Sequence, residues 1–303
     1  MGVDLTSSPS GQPSLGLVLP TFPQQDGTSW EDLAGFSARA EAAGASALWA
    51  CDHLFWQGPA LECFTALTLA ATATSRCALG SAVLQMPLRS AAVVAKTAGS
   101  LQSVSGGRLI LGLGVGEHEG EFDAAKADFK RRGAALDKGM SALRELWAPG
   151  DERYAQRPVP DRIPLWVGGS SPRARRRAAR LGDGWIPLFL GPEELGAQYE
   201  LLDADAEAAG RSAADVAQAL MVFVSVGDRA EAQARGTSWM SSLYGIAAER
   251  FSSHLVAGDA RECAGALQRF GQCGADHVAL FMAADDPLDD FTAVAEAMAT
   301  VPV

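Results

Sequence analysis

Two short stretches put proton-carrying groups at the ends of apolar runs. Asp52-His53 follows Leu48-Trp49-Ala50-Cys51, and Glu117-His118 follows LILGLGV at 109–115. An imidazole beside a reacting centre removes or supplies a proton near neutral pH, and a carboxylate kept protonated by burial can make the complementary transfer. Adjacent strand residues point to opposite faces, so Asp52 and His53 are not expected to bond each other. Trp56 suits the wall of a substrate pocket, while Phe55 suits the core equally. Glu117 reads two ways: as the acid that pairs with His53, or as one member of a solvated GEHEGE loop, crowded by Glu119 and Glu121. A third stretch, GGSSP at 168–172, offers an anion site. Gly168 and Gly169 let the backbone approach a ligand, Ser170 or Ser171 can cap the helix that follows, and Pro172 suits its first turn.

These groups need a frame that brings them together. Strand-type runs occur at 15–19, 47–50, 79–84, 109–115, 164–168, 184–188, 220–226 and 277–281, separated by amphipathic, alanine-rich stretches such as 30–44, 62–74, 91–107, 131–147 and 260–274. The strands are near-continuous apolar runs, as expected when both faces are covered. Eight strand–helix units predict an α/β fold, a (β/α)8 TIM barrel occupying 15–303 as one domain. A doubly wound sheet is the runner-up, but its glycine fingerprint would belong after the first strand, and GLGVGEHEG (112–120) follows the fourth. In a barrel the C-terminal strand ends build the active site. Asp52-His53, Gln85-Met86, Glu117, Gly168-Gly169-Ser170-Ser171 and Leu188 then share one rim. Two segments break the rhythm: 148–163 reads as a polar, proline-rich loop, and 229–258 as an inserted helical excursion near the seventh strand, a lid candidate. Residues 1–14 read as a loose, flexible leader without signal-peptide features.

Composition excludes several classes. The net charge of -11 over 303 residues argues against nucleic-acid or anionic-membrane partners. No apolar run approaches the roughly 18 residues of a membrane helix. Five cysteines without a C-x-x-C pair fit a reducing cytoplasm, and Cys51 reads as a buried thiol rather than a nucleophile. No H-x-H or H-x-x-x-H spacing supports a metal-dependent hydrolase, so no metal ligands are assigned. A binding protein without turnover is a further reading, against which Glu117 weighs.

WACDHLFW (49–56), LGSAVLQMPLR (79–89), SGGRLILGLGVGEHEGEF (105–122) and PLWVGGSSPRARRRAARLGDGW (164–185), in that order, resemble the bacterial-luciferase-like superfamily. The likeness is to its actinobacterial oxidoreductases dependent on the deazaflavin coenzyme F420, and covers about half the chain. It implies hydride transfer between coenzyme F420 and a small organic substrate. It also implies a non-proline cis peptide at Ala82-Val83 behind the ring, cofactor contacts from Gln85 and Leu188, and cofactor phosphate at 168–171. His53 and Glu117 would stand at the reactive centre, and Asp52 would hydrogen-bond the coenzyme or orient a neighbour. The alternative is an FMN-dependent monooxygenase using O2 and reduced flavin from a separate reductase. Arg173, Arg176, Arg177 and Arg180 share one helical face, read as a solvated surface or as a landing strip for the anionic oligoglutamate tail that FMN lacks. Family members often have His-Pro where this chain has Ser90-Ala91. The lysines that bind sugar phosphate in the glucose-6-phosphate dehydrogenases of this group have no clear equivalent, implying a less charged substrate. Homo-oligomers, a homodimer or larger, are expected through 62–74 and 91–103.

Overall fold

The apolar runs close into a ring. In a computed structural model describing residues 5, 11–22, 30–148, 158, 160 and 162–301, the strands are β1 (Ser14–Val18), β2 (Ala47–Ala50), β3 (Ala78–Ser81), β4 (Leu84–Gln85), β5 (Leu109–Gly114), β6 (Leu165–Gly168), β7 (Gly184–Ile186), β8 (Ala217–Val226), β9 (Leu255–Gly258) and β10 (His277–Met282). All pairings are parallel, β10 pairs with both β8 and β1, and the barrel is thereby closed. β3 and β4 are two pieces of one barrel strand, separated by a cis peptide at Ala82-Val83. The helices are α1 (Leu33–Ala42), α2 (Cys63–Ala73), α3 (Ala91–Val104), α4 (Glu119–Ala125), α5 (Arg132–Leu146), α6 (Pro172–Leu181), α7 (Pro192–Ala208), α8 (Arg229–Tyr244), α9 (Ala260–Gln272) and α10 (Pro287–Met298).

Strand alternation divides the core in two. Leu48 and Ala50 of β2 pack with the helices, as do Val278 and Leu280 of β10. Ala47, Trp49, Ala279 and Phe281 join Trp166 in the separate inner cluster. Two tryptophans fill so much of this interior that their neighbours must be glycine. A Cβ on Gly80 would lie 2.2 Å from the Trp49 ring, and one on Gly184 2.6 Å from Trp166. The inner cluster holds one buried imidazole, His277. Trp49 Nε1–H can only donate, so it fixes His277 Nε2 as the acceptor (2.9 Å). His277 Nδ1–H then donates to Ser14 Oγ at 2.8 Å.

Two expectations change. Part of the leader is packed: Leu5 is buried, Gln12 Nε2 donates to the carbonyls of Met298 and Val301, and Ser14 opens β1. The 229–258 excursion is not wholly helical. It carries α8 but ends in β9, which extends the sheet along Phe223 to Val226 of β8. Most of the 148–163 loop lies outside the described residues.

Candidate active site

The C-terminal strand ends open onto a cleft of about 260 Å³. His53, just past β2, lines it with 17% of its side chain exposed. Its ring packs on Trp56 at 4.0 Å between centroids. His53 Nδ1 lies 3.1 Å from Glu121 Oε2. Glu121 is fully buried and also accepts the Leu54 and Phe55 N–H groups at 2.5 and 3.1 Å and Gln85 Nε2 at 3.2 Å. Burial works to raise this carboxyl, but hydrogen bonds from Phe55, His53 and Gln85 outweigh it and hold Glu121 below the usual carboxylate value. The imidazole nitrogen facing this anion therefore carries the hydrogen. That tautomer leaves the lone pair on Nε2, which has no protein partner among the described residues.

This corrects the pairing expected from the sequence. Glu117 lines the cleft but is exposed, and it makes no hydrogen bond to His53 among the described residues. After β5 the chain turns through Gly116, in the left-handed region at φ 74°, and α4 starts only at Glu119. The first helical turn carries Glu121 back beneath β2. The sequence signal was faint: Glu121 directly precedes the buried Phe122, at the start of a helix rather than within a loop.

Asp52 points the other way and is 3% exposed. Its two oxygens take Arg89 side on, at 2.7 and 2.8 Å, and Oδ2 also accepts the Gln85 N–H at 2.8 Å. Burial lifts this carboxyl above the usual aspartate value while Arg89 and the Gln85 N–H pull it back. Every group bonded to it is a donor, so it stands as the anion. Asp52 thereby holds the Gln85 segment through the Gln85 N–H. Gln85, held at its N–H by Asp52, donates Nε2 to the Asp52 carbonyl at 2.9 Å. Its Oε1 is buried without a partner while the residue lines the cleft.

Ala82, Val83, Gly168, Gly169 and Leu188 line the same cleft. Glycines make the room for Val83: a Cβ on Gly114 would sit 2.4 Å from its Cγ2, and one on Gly168 2.7 Å from its Cγ1. Ser170 Oγ bonds the Leu188 carbonyl and accepts the Leu188 N–H at 3.1 Å. Ser171 is the helix cap, accepting from Ala174 N–H at 3.2 Å. Cys51 also lines the cleft, and burial first, then Asp52, push its thiol up to about 12, far from a nucleophile's value.

The end of α8 closes the cleft from above. Leu243 and Tyr244 line it, and their carbonyls accept Trp56 Nε1 and Gln57 Nε2, both at 2.8 Å. Tyr244 meets Trp56 edge-on at 6.1 Å, and burial pushes its phenol well above the usual value, so it remains an O–H donor. Neither residue was identifiable from the sequence, because both sit where an excursion of unknown path returns to the rim.

Over residues 14–256 the sequence matches the family of luciferase-like monooxygenases. The chain belongs to that family. Among curated relatives, an F420-dependent glucose-6-phosphate dehydrogenase of Beutenbergia cavernae is 34% identical over 201 residues, 60% of this chain and 59% of that one. An uncharacterized protein of Mycobacterium tuberculosis is 33% identical over 149 residues, 45% of this chain and 51% of that one. These matches thus span between half and three-fifths of the relatives' lengths. Among solved structures, an F420-dependent secondary alcohol dehydrogenase in complex with an F420-acetone adduct superposes with a TM-score of 0.82, covering 95% of this chain and 99% of that chain. At 19% identity, that likeness shows the fold alone.

In this luciferase-like barrel the arginine face sorts into two kinds. Arg173, Arg176, Arg177 and Arg180 line a shared groove of about 490 Å³. Arg177 and Arg180 are tied to Asp137 at 2.5 and 3.3 Å, and the buried Arg175, off this face, binds Asp205 at 2.9 Å. Arg173 and Arg176 are exposed and have no acidic partner among the described residues. No helix among the described residues is long and apolar enough to cross a membrane.

Proposed function

We propose that this chain is a coenzyme F420-dependent oxidoreductase that moves a hydride between the deazaflavin and a small organic substrate. The observation that carries the reading is the pair formed by His53 and Glu121, with a lone pair on Nε2 beside a cleft lined by Gln85, whose buried Oε1 lacks a donor. F420-dependent relatives in the same family support the choice of coenzyme.

The residues fit that group. A deazaflavin ring carries one imide N–H between carbonyls, the donor that Gln85 Oε1 lacks. Val83 and Leu188 give the ring an apolar floor, and the glycine backbone at Gly168 and Gly169 admits a phosphate near the start of α6. When bound, the coenzyme supplies the hydride acceptor or donor. His53 Nε2 takes the proton that leaves the substrate as hydride moves, and Glu121 stabilises the resulting imidazolium. Glu117, at the exposed mouth of the cleft, passes that proton to solvent. Asp52 and Arg89 hold the Gln85 segment in register. The chain works as one barrel over 15–303, with α8 of the excursion as the cap on its cleft.

Parallel titration of the purified protein with F420 and FMN tests this. Micromolar or tighter binding of F420, with weaker binding of FMN, is expected. Preference for FMN would replace the proposal with an oxygen-dependent monooxygenase fed by a reductase.

A further inference from the structure

We infer that the substrate is an uncharged, mainly apolar alcohol or its carbonyl partner, larger than a two- or three-carbon unit, and not a sugar phosphate. This rests on the F420 reading above and names what the same cleft accepts.

Charge decides the class. Among the described residues lining the cleft, the ionisable groups are Cys51, Asp52, His53, Glu117 and Tyr244, with no lysine or arginine. Asp52 is neutralised by Arg89 and His53 faces the Glu121 anion, which leaves Glu117 as the uncompensated charge. A substrate anion seated beside His53 and Trp56, away from the Gly168-Gly169 backbone, would lose its water and find no cation among the described lining residues, an expensive transfer.

The remaining surface suits an apolar body with one oxygen. His53 Nε2 accepts, and Tyr244, whose hydroxyl has no protein partner among the described residues, donates. The two rings lie at 4.0 and 6.1 Å from the same Trp56. Around them stand Phe22, Leu243 and Phe281. A second hollow of about 100 Å³ adjoins the cleft, sharing Phe22, Trp56 and Leu243 and adding Gly58 and Trp239. It gives an apolar arm somewhere to go. A Cβ on Gly58, which lines the hollow, would meet nothing within 4 Å, so a larger side chain there makes no clash.

The chemistry balances. In the oxidising direction the carbinol C–H bond breaks and its electron pair leaves as hydride to the coenzyme. The O–H proton goes to His53 Nε2, and the carbon–oxygen double bond forms. The substrate loses two electrons and the coenzyme gains them. The reducing direction is the reverse.

The test has two stages. Coenzyme affinity is measured first, and failure to bind F420 there would sink the oxidoreductase reading itself. With coenzyme bound, neutral secondary alcohols bearing alkyl or aryl arms of graded length are compared with glucose 6-phosphate and with carboxylated isosteres, and the carbonyl forms are run with reduced coenzyme. The expected kcat/KM for neutral members exceeds that of charged isosteres at least 100-fold. It rises about fourfold per added methylene until the hollow is full. Gly58→Val is expected to lower the long-arm to short-arm ratio tenfold or more. Equal turnover of charged substrates, no gain with arm length, or bound coenzyme with every neutral member inert would each overturn the inference.

Discussion

Replacing Glu121 by Gln changes one atom and should reverse the chemistry of His53. Glu121 Oε1 accepts the Leu54 and Phe55 N–H groups, at 2.5 and 3.1 Å. A glutamine can keep both bonds only by placing its carbonyl oxygen there. Its NH2 then replaces Oε2, which faces His53 Nδ1 at 3.1 Å, and gives up the bond from Gln85 Nε2 at 3.2 Å. Donor would meet donor unless the imidazole moves its hydrogen from Nδ1 to Nε2. The lone pair then points at residue 121, and the nitrogen open to the cleft can no longer accept a proton. General-base catalysis contributes roughly 10²–10⁴-fold, or about 3–5 kcal/mol of barrier, and that is the expected loss in kcat. The fold should survive, since the two backbone bonds persist. Nitrogen-15 NMR of the four histidines reads the tautomer without any substrate, and the pH profile of turnover reads its consequence. A Glu121→Gln protein with the wild-type His53 tautomer, or with kcat and pH profile intact, would refute this account.

Three further outcomes are expected. Arg89→Met strands the Asp52 carboxylate, 3% exposed, with only the Gln85 N–H; urea unfolding should show a loss of about 3–5 kcal/mol, largely restored in the Asp52→Asn, Arg89→Met double variant. His277 is pushed by burial down to about 3 from 6.5, so the unfolded chain binds a proton that the folded chain refuses. Stability is complete above pH 6.5 and falls as pH drops toward 3, by about 2 kcal/mol between pH 6.5 and 5. His277→Gln should flatten that part of the denaturation-against-pH curve, and an unchanged slope would show the imidazole is not responsible. Charge removal at Arg173 and Arg176, which have no acidic partner among the described residues, should weaken binding of F420 with a long oligoglutamate tail several-fold at low salt. It should spare the tail-less deazaflavin, and the difference should vanish at high salt.

What the sequence revealed and what it hid follow from range. The barrel was legible because each strand run is set by local apolar pattern, and the rim residues followed from knowing which end of each strand carries function. His53, Gln85, Glu117, Gly168, Gly169 and Leu188 do line one cleft. The cis peptide at Ala82-Val83 was legible only through family likeness, for nothing in Ala-Val demands it. Hidden features depended on where a chain segment returns. Glu117, Glu119 and Glu121 lie within five positions, and the start of α4 after Gly116 decides which of them reaches β2. A shift of that start by one residue would rotate the helix by about 100° and bring a different side chain to His53. His277 was passed over because it opens an apolar strand, and its need for Trp49 and Ser14 appears only when β1, β2 and β10 are side by side.

Family likeness and local chemistry carry different weight in this molecule. In the proposed reaction the barrel sets His53, just past β2, against Glu121 of α4 as a proton-transfer pair, which would serve any substrate whose oxygen reaches His53 Nε2. Selectivity is then expected from elements that the barrel pattern does not determine: the end of α8, through Leu243 and Tyr244, and the turn at Gly58. Relatives that share the barrel can therefore share the hydride chemistry and still differ in substrate. Cations absent from the described lining of this cleft matter more for substrate choice than the identity shared across the strands. The Glu121→Gln and Gly58→Val variants separate the two levels. The first should remove catalysis on every substrate, the second only the preference among them. If Gly58→Val lowered turnover of long and short substrates alike, while leaving coenzyme affinity intact, the hollow would belong to the catalytic cleft and the division argued here would fail.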